Sequence, residues 1–209
     1  MWRTTPMHRS EVPGDSDDLP PPLPESFRRD DLQLPSDGVG PLFHRRYEAR
    51  IRESRLTAEA LIDQLSRDPN RASPTEFARF RKLGRGSEPL RPNDELLVHM
   101  PGPWNGPVRV AETTPTSFRY ATLDRHLEAG QIEFSAEDDG DALRFRIESW
   151  ARSGDRVSNL LFEHLRMAKE VQLHMWTSFI ERVAELAGGK LTGGIVIETR
   201  RLDEPDAVT

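Results

Sequence analysis

His126 and Glu128 stand two residues apart in the stretch DRHLEAG, between two runs that read as strands. An imidazole and a carboxylate can pass a proton between them, provided that the fold brings them within hydrogen-bond reach. They are the candidate catalytic pair, and Arg119 nearby would complete a polar mouth. The plainer role for the same residues is a turn in which His and Glu brace one another or the backbone. No longer motif supports an enzyme: G-x-S-x-G, H-E-x-x-H, a P-loop and a dinucleotide glycine fingerprint are all missing. Gly84-Arg85-Gly86 is too short to count. The six histidines are scattered, His164 and His174 point to different sides of one helix, and there is no cysteine. Neither a metal nor a cofactor is therefore expected.

Gln172 is the other polar residue in an informative place. It lies in the run from Arg156 to Gly189, which holds no proline and has its first glycines at the end. With helical spacing, Leu161, Leu165, Ala168, Trp176, Phe179, Val183 and Leu186 share one sector, flanked by Val157, Val171 and Met175. The stretch predicts a long amphipathic helix, roughly 45 Å in length, able to lie across a whole sheet. Gln172 sits at the centre of its apolar face, where an unpartnered amide costs about 1–3 kcal/mol. It can bond a ligand, the sheet backbone or a trapped water. Tyr47 and Tyr120 carry the same choice, since a ring fills a core while its hydroxyl turns to a cavity.

The sheet under this helix is legible as alternation. Phe43, Arg45, Tyr47, Ala49 and Ile51 alternate with His44, Arg46, Glu48, Arg50 and Arg52, a first strand with one wet face. Thr57 caps a short helix over Ala58 to Leu65, and Ser73-Pro74 with Glu76 predicts a second one, to about Leu83. Strands are then expected at Glu95 to Met100, Pro107 to Thr113, Ser117 to Thr122, Gln131 to Ala136 and Ala142 to Trp150. Their inward sets include Leu96, Val108, Val110, Phe118, Tyr120, Ile132, Phe134, Leu143, Phe145 and Ile147. Arg109, Arg119, Glu133, Arg144, Arg146 and Glu148 fall on the other face, which reads as solvated with cross-strand pairs. Trp104 lies in a Pro-Gly-Pro-Trp-Asn-Gly turn, as a lid or a hairpin staple. Gly188 suits a left-handed helix cap, and a last strand from Ile195 to Thr199 joins its own sheet or a neighbour's.

Of the 209 residues, those numbered 1–41 hold eight of the 17 prolines. Four Arg against eight Asp and Glu there account for -4 of the net charge of -6. Such a segment reads as a disordered, acidic, proline-rich tail, and LPPPLP at Leu19 to Pro24 as a spacer or a docking motif. The chain from 42 to 201 forms the domain, and 202–209 a flexible end. No basic footprint appears, so nucleic acid is disfavoured as a partner. Lysine occurs only at Lys82, Lys169 and Lys190, which reads mainly as genomic base composition. No signal peptide or membrane span is visible, and a cytoplasmic protein, monomer or homodimer, is the default.

The order strand, two short helices, antiparallel strands and long C-terminal helix resembles the helix-grip fold of the START and birch-pollen-allergen superfamily, also called SRPBCC. More narrowly, MPGPWNGPVRVAETTPTSFRYATLDRHLEAGQIEF and VQLHMWTSFIERVAELAGGKL resemble a domain family of unknown function within it. That family shows a Gly-His-type turn, where this chain has Arg125-His126, and often an acid where Gln131 stands. The resemblance implies an α+β fold, a curved antiparallel sheet wrapped around the helix, with an apolar cavity between them. Tyr47, Trp104, Phe118, Tyr120, Phe134, Phe145, Gln172 and Trp176 are the candidates to line it around a small hydrophobic or amphipathic ligand. Two alternatives stand beside that binding reading: a cyclase- or hydrolase-like enzyme using the same cavity, and an interaction protein acting through its tail.

Overall fold

A computed structural model of the chain describes residues 5–84, 86–100, 105–154 and 162–203, and the side chains of all of these except 162–170. Among the described residues nine strands form a single sheet: β1 (Met7–Pro13), β2 (Val39–Arg52), β3 (Arg79–Leu83), β4 (Glu95–His99), β5 (Asn105–Thr114), β6 (Ser117–Thr122), β7 (Glu128–Asp139), β8 (Ala142–Ser153) and β9 (Lys190–Leu202). Their spatial order is β1-β9-β2-β8-β7-β6-β5-β4-β3. Every neighbouring pair is antiparallel except β1 and β9. The helices are α1 (Ala58–Arg67) and α2 (Phe162–Leu186). The start of the expected long helix, and Trp104, lie outside the described residues.

Alternation decides the sheet. Tyr47, Ala49 and Ile51 on β2 face the same side as Phe134 and Ala136 on β7 and Leu143, Phe145 and Ile147 on β8, and all are buried. Onto them α2 lays Met175, Trp176, Phe179, Ile180, Val183 and Ala184. Helix α1 closes one end with Leu61, Ile62 and Leu65. It starts where Thr57 Oγ1 accepts from the Ala60 amide and Asp138 Oδ1 from the Ala58 amide, two donors that the helix itself cannot satisfy. Gly188, with φ 67°, provides the expected cap beyond α2. Phe179 is fully buried against the rings of Phe134, Phe145 and Trp176, a position where truncation to Ala costs about 3–5 kcal/mol.

The second short helix does not form. Ser73 to Ala78 makes one turn, with the Phe77 and Ala78 amides on the Pro74 carbonyl, and the chain then enters β3. The Asn70 side chain explains the change. It donates to the Phe80 carbonyl and accepts from the Phe80 amide, completing that residue's backbone bonds as a neighbouring strand would. Phe80 can then turn into the core while β3 pairs with β4.

The proline-rich head is no free tail. β1 runs beside β9, and residues 18–34 cross the outer face of the sheet as a strap. Phe27, with Leu23 and Leu32 beside it, packs on Ala111 and Ala121, small residues that leave a slot on β5 and β6. Prolines suit this course: they cannot donate to a ladder, but their carbonyls accept. Pro21 O takes a bond from Gln131 and Pro22 O from Arg119. The sheet is consequently covered on both sides over much of its area. Arg109 and Arg119, expected in water, are 1% and 3% exposed.

Candidate ligand-binding site

A polar cluster lies on the inner face, at the end of the sheet where β7 begins, and it differs from the one that His126 and Arg119 suggested. Arg119 is on the outer face, bound to Glu112 and to the Pro22 carbonyl. His126 faces the backbone: its Nδ1 accepts from the Glu128 amide at 2.9 Å. The same nitrogen lies 3.0 Å from the Glu128 carbonyl oxygen, and desolvation lowers the ring's pKa against the pull of the Glu128 charge and backbone. The structure does not join the imidazole to the Glu128 carboxylate. Arg125 holds this turn with φ 72°, a conformation that favours glycine.

Glu128 turns to α2 instead. Gln172 Nε2 donates to both carboxylate oxygens at 3.1 Å, while its Oε1 accepts from Arg45 at 3.4 Å. The amide on the helix's apolar sector therefore bridges two charged groups of the sheet. Arg45 is visible in the sequence as one of the inward residues of β2, an arginine among Phe43, Tyr47, Ala49 and Ile51. That placement is the one sequence signal of the cluster, and pairing titratable groups by their spacing misses it. Beside it, burial pushes the Tyr47 hydroxyl up to about 12, with Glu128 adding to the rise and Arg45 opposing it.

The strap also builds this corner. Gln33 Nε2 donates to the carbonyls of His126 and Glu128 at 2.8 and 3.1 Å, and the Gln33 amide bonds Thr122 O. Thr122 Oγ1 in turn accepts from the Gly130 amide. Glu128 is thus held from the outer face while its carboxylate works on the inner one. Gly130 cannot be replaced: a Cβ there would come within 1.9 Å of the Trp150 carbonyl oxygen.

Deeper in, the expected lining residues pack on one another. Phe118 and Phe134 stack at 5.0 Å, Tyr120 lies 6.0 Å from Phe134, and Trp176 meets Phe134 edge-on at 5.6 Å. Phe145 stacks on Phe179. Two polar atoms in this aromatic body, Tyr120 Oη and Trp176 Nε1, are buried with no hydrogen-bond partner among the described residues, and burial raises the Tyr120 pKa. A separate cleft of about 500 Å³ opens beside the start of α1, with Thr57, Thr116, Ser135, Arg144 and Arg146 in its wall. Its arginines are engaged by Glu48, Glu137 and Asp139, as on a solvated face. No helix among the described residues is long and apolar enough to cross a membrane.

Comparison with known proteins agrees with this architecture. Residues 23–182 match the family model of a domain of unknown function, DUF1990. No curated protein matches the chain. A hypothetical protein from Helicobacter pylori superposes with a TM-score of 0.50 at 10% identity, covering 68% of this chain and 86% of that one. The di-domain ARO/CYC protein StfQ of the steffimycin biosynthetic pathway gives 0.52 at 11% identity, over 74% of this chain. The match spans about half of StfQ, 52% of its length. Norcoclaurine synthase from Thalictrum flavum, solved with dopamine and hydroxybenzaldehyde, covers 79% of this chain and 95% of its own at 10% identity and a TM-score of 0.49. At such identities the likeness speaks for the fold alone. The chain belongs to the DUF1990 family, a domain of unknown function.

Proposed function

We propose that this protein binds a small amphipathic molecule at the inner mouth between α2 and the sheet. The observation that carries the reading is the Arg45–Gln172–Glu128 cluster, a set of polar groups placed at the edge of an apolar interior. Sites for small molecules commonly join a greasy wall to a few convergent polar groups. Ile132 and Leu173, both only partly buried, pack against the same core. The partnerless Tyr120 and Trp176 atoms lie further inside. The engagement of His126 by backbone favours binding over an acid–base reaction at this mouth.

The test is native mass spectrometry of the freshly purified protein, with release and identification of whatever it carries. A stoichiometric small molecule, lost or weakened in Gln172→Leu, is the expected result. A bare mass, together with equal uptake of small amphiphiles by the wild type and Gln172→Leu, would remove the mouth as a binding site.

A further inference from the structure

Among the described residues, three arginines are at least nine-tenths buried: Arg45, Arg109 and Arg119. Arg109 and Arg119 are each paired with a carboxylate and with strap carbonyl oxygen, although Arg119 Nε is buried without a partner among the described residues. Arg109 donates to Glu95 and to the carbonyls of Arg28 and Asp30, and Arg119 to Glu112 and the Pro22 carbonyl. Arg45 has, among the described residues, a single side-chain hydrogen bond, the long one of 3.4 Å to the neutral Gln172 amide, and its guanidinium carbon stands 4.5 Å from the centre of the Phe43 ring. No carboxylate of the described residues lies within ion-pairing distance of it. A guanidinium keeps its charge and offers five N–H donors in a fixed fork. Burying one without an anion is costly, and the group cannot escape by losing its proton.

The arrangement of its neighbours says what is wanting. Glu128 is the acid of this corner, yet its two oxygens are held by Gln172 Nε2, and its backbone is clamped through Gln33. The amide stands between acid and base and gives the Arg45 guanidinium one long contact. We infer that the ligand of this site is a carboxylic acid with an apolar body, its carboxylate received by the Arg45 guanidinium. This rests on the binding reading above and deepens it. A carboxylate matches the fork with two parallel bonds, and it displaces only the long contact to Gln172. Its single charge also suits the corner, where Glu128 would oppose a dianionic phosphate more strongly.

Calorimetric titration of octanoate, octanol and octyl phosphate into the full chain tests this. Octanoate is expected to bind at least about tenfold more tightly than octanol, a difference of about 1.4 kcal/mol. In Arg45→Met that preference should vanish while octanol binding remains, and in Arg45→Lys, which keeps the charge and loses the fork, it should shrink. Glu128→Gln should strengthen octanoate several-fold by removing the opposing charge. Circular dichroism melts establish that each variant is folded. Equal binding of octanoate and octanol by the wild type overturns the acid assignment and leaves the binding reading standing. Tighter binding of octyl phosphate than of octanoate replaces the carboxylate by a phosphate. No binding of any of the three removes both readings.

Discussion

Arg109 and Arg45 lie on opposite faces of one sheet, both withdrawn from water, and the chain provides for them differently. On the outer face the N-terminal strap brings backbone carbonyls to Arg109 and seats Phe27 on Ala111 and Ala121. On the inner face Arg45 has, among the described residues, one hydrogen bond, to a distant amide oxygen. The strap thus acts as a permanent occupant of the outer face, part of the same polypeptide and present in every molecule. At the inner face no such segment of the described residues takes the guanidinium. A buried charge that is fully bonded is structural; a buried charge left short of partners is a place for function to be sought.

The largest effect is expected where provision is complete. Arg109→Met leaves two strap carbonyls without their donor and Glu95 with Arg28 alone, and removing one member of a buried pair costs about 3–5 kcal/mol. Denaturant unfolding should show that loss; a change below about 1 kcal/mol would mean that the strap does not depend on this arginine. Phe27→Ala attacks the same cladding without touching a charge. Truncating a buried phenylalanine costs up to about 3–5 kcal/mol, and this satellite cluster of a few residues should place it near the lower figure. Hydrogen exchange in residues 18–34 should rise in this variant while exchange in β7 and β8 stays slow. Uniform loss of protection would show that strap and sheet unfold as one unit.

Much of the inner face was legible because its information is local. Alternation in each strand, the Thr57 cap and the apolar sector of the helix are all patterns within a few residues of one another. The strap was not, since prolines in an acidic stretch have the composition of disorder, and the partners that order them are far along the chain. Phe27 needs Ala111 and Ala121, and Pro22 needs Arg119. The two alanines and two buried arginines on a face expected to be wet were a trace of that cover. The same distance effect misplaced the second helix: Ser73-Pro74 with Glu76 forms a turn, but Asn70 and β4 claim residues 79–83 for a strand. At the mouth, the sequence spacing of His126 and Glu128 suggested a pair, whereas the backbone between them turns the ring to an amide and the carboxylate to Gln172. Spacing cannot give that direction.

The strap should also carry a pH dependence of its own. His44 places Nδ1 2.8 Å from Asp18 and Nε2 2.7 Å from Glu148, with Trp150 stacked on its ring. Both ring nitrogens face carboxylates, so the geometry fits the doubly protonated form. Burial alone would lower the His44 pKa, but the bonds to Glu148 and Asp18 outweigh it and raise the value. Arg46 and Arg200 reach the same two carboxylates, and both carboxylates titrate below their ordinary values. For a group raised on folding, the stabilisation is complete below its unfolded pKa of 6.5 and fades as pH climbs through the folded one. For Asp18 and Glu148 it is present above their ordinary values of 3.8 and 4.5, and fades as pH falls through the lowered ones. Deprotonating His44 forfeits one charge-assisted bond, about 1.5–3 kcal/mol. Thermal midpoints should therefore fall as pH rises above the ordinary value of 6.5, and His44→Phe should flatten that slope. An unchanged slope in the variant would place the titration elsewhere.

The smallest effect, and the one of opposite sign, is expected at Arg45. If the guanidinium is maintained for a ligand at the expense of the empty protein, Arg45→Met should raise the stability of ligand-free protein by about 1 kcal/mol, because an apolar side chain of similar length relieves the buried charge. For a chain of this size that is a rise of about 2–4 °C in Tm. The contact with the Phe43 ring works against the gain, since a cation over an aromatic face is itself favourable by about 0.5–1 kcal/mol. The sign still decides between the two faces. A fall of the size expected for Arg109→Met would show that Arg45 is structural like the arginines under the strap, and the contrast between the faces would dissolve. A rise, with octanoate binding lost in the same variant, would show one residue held against stability for the sake of recognition.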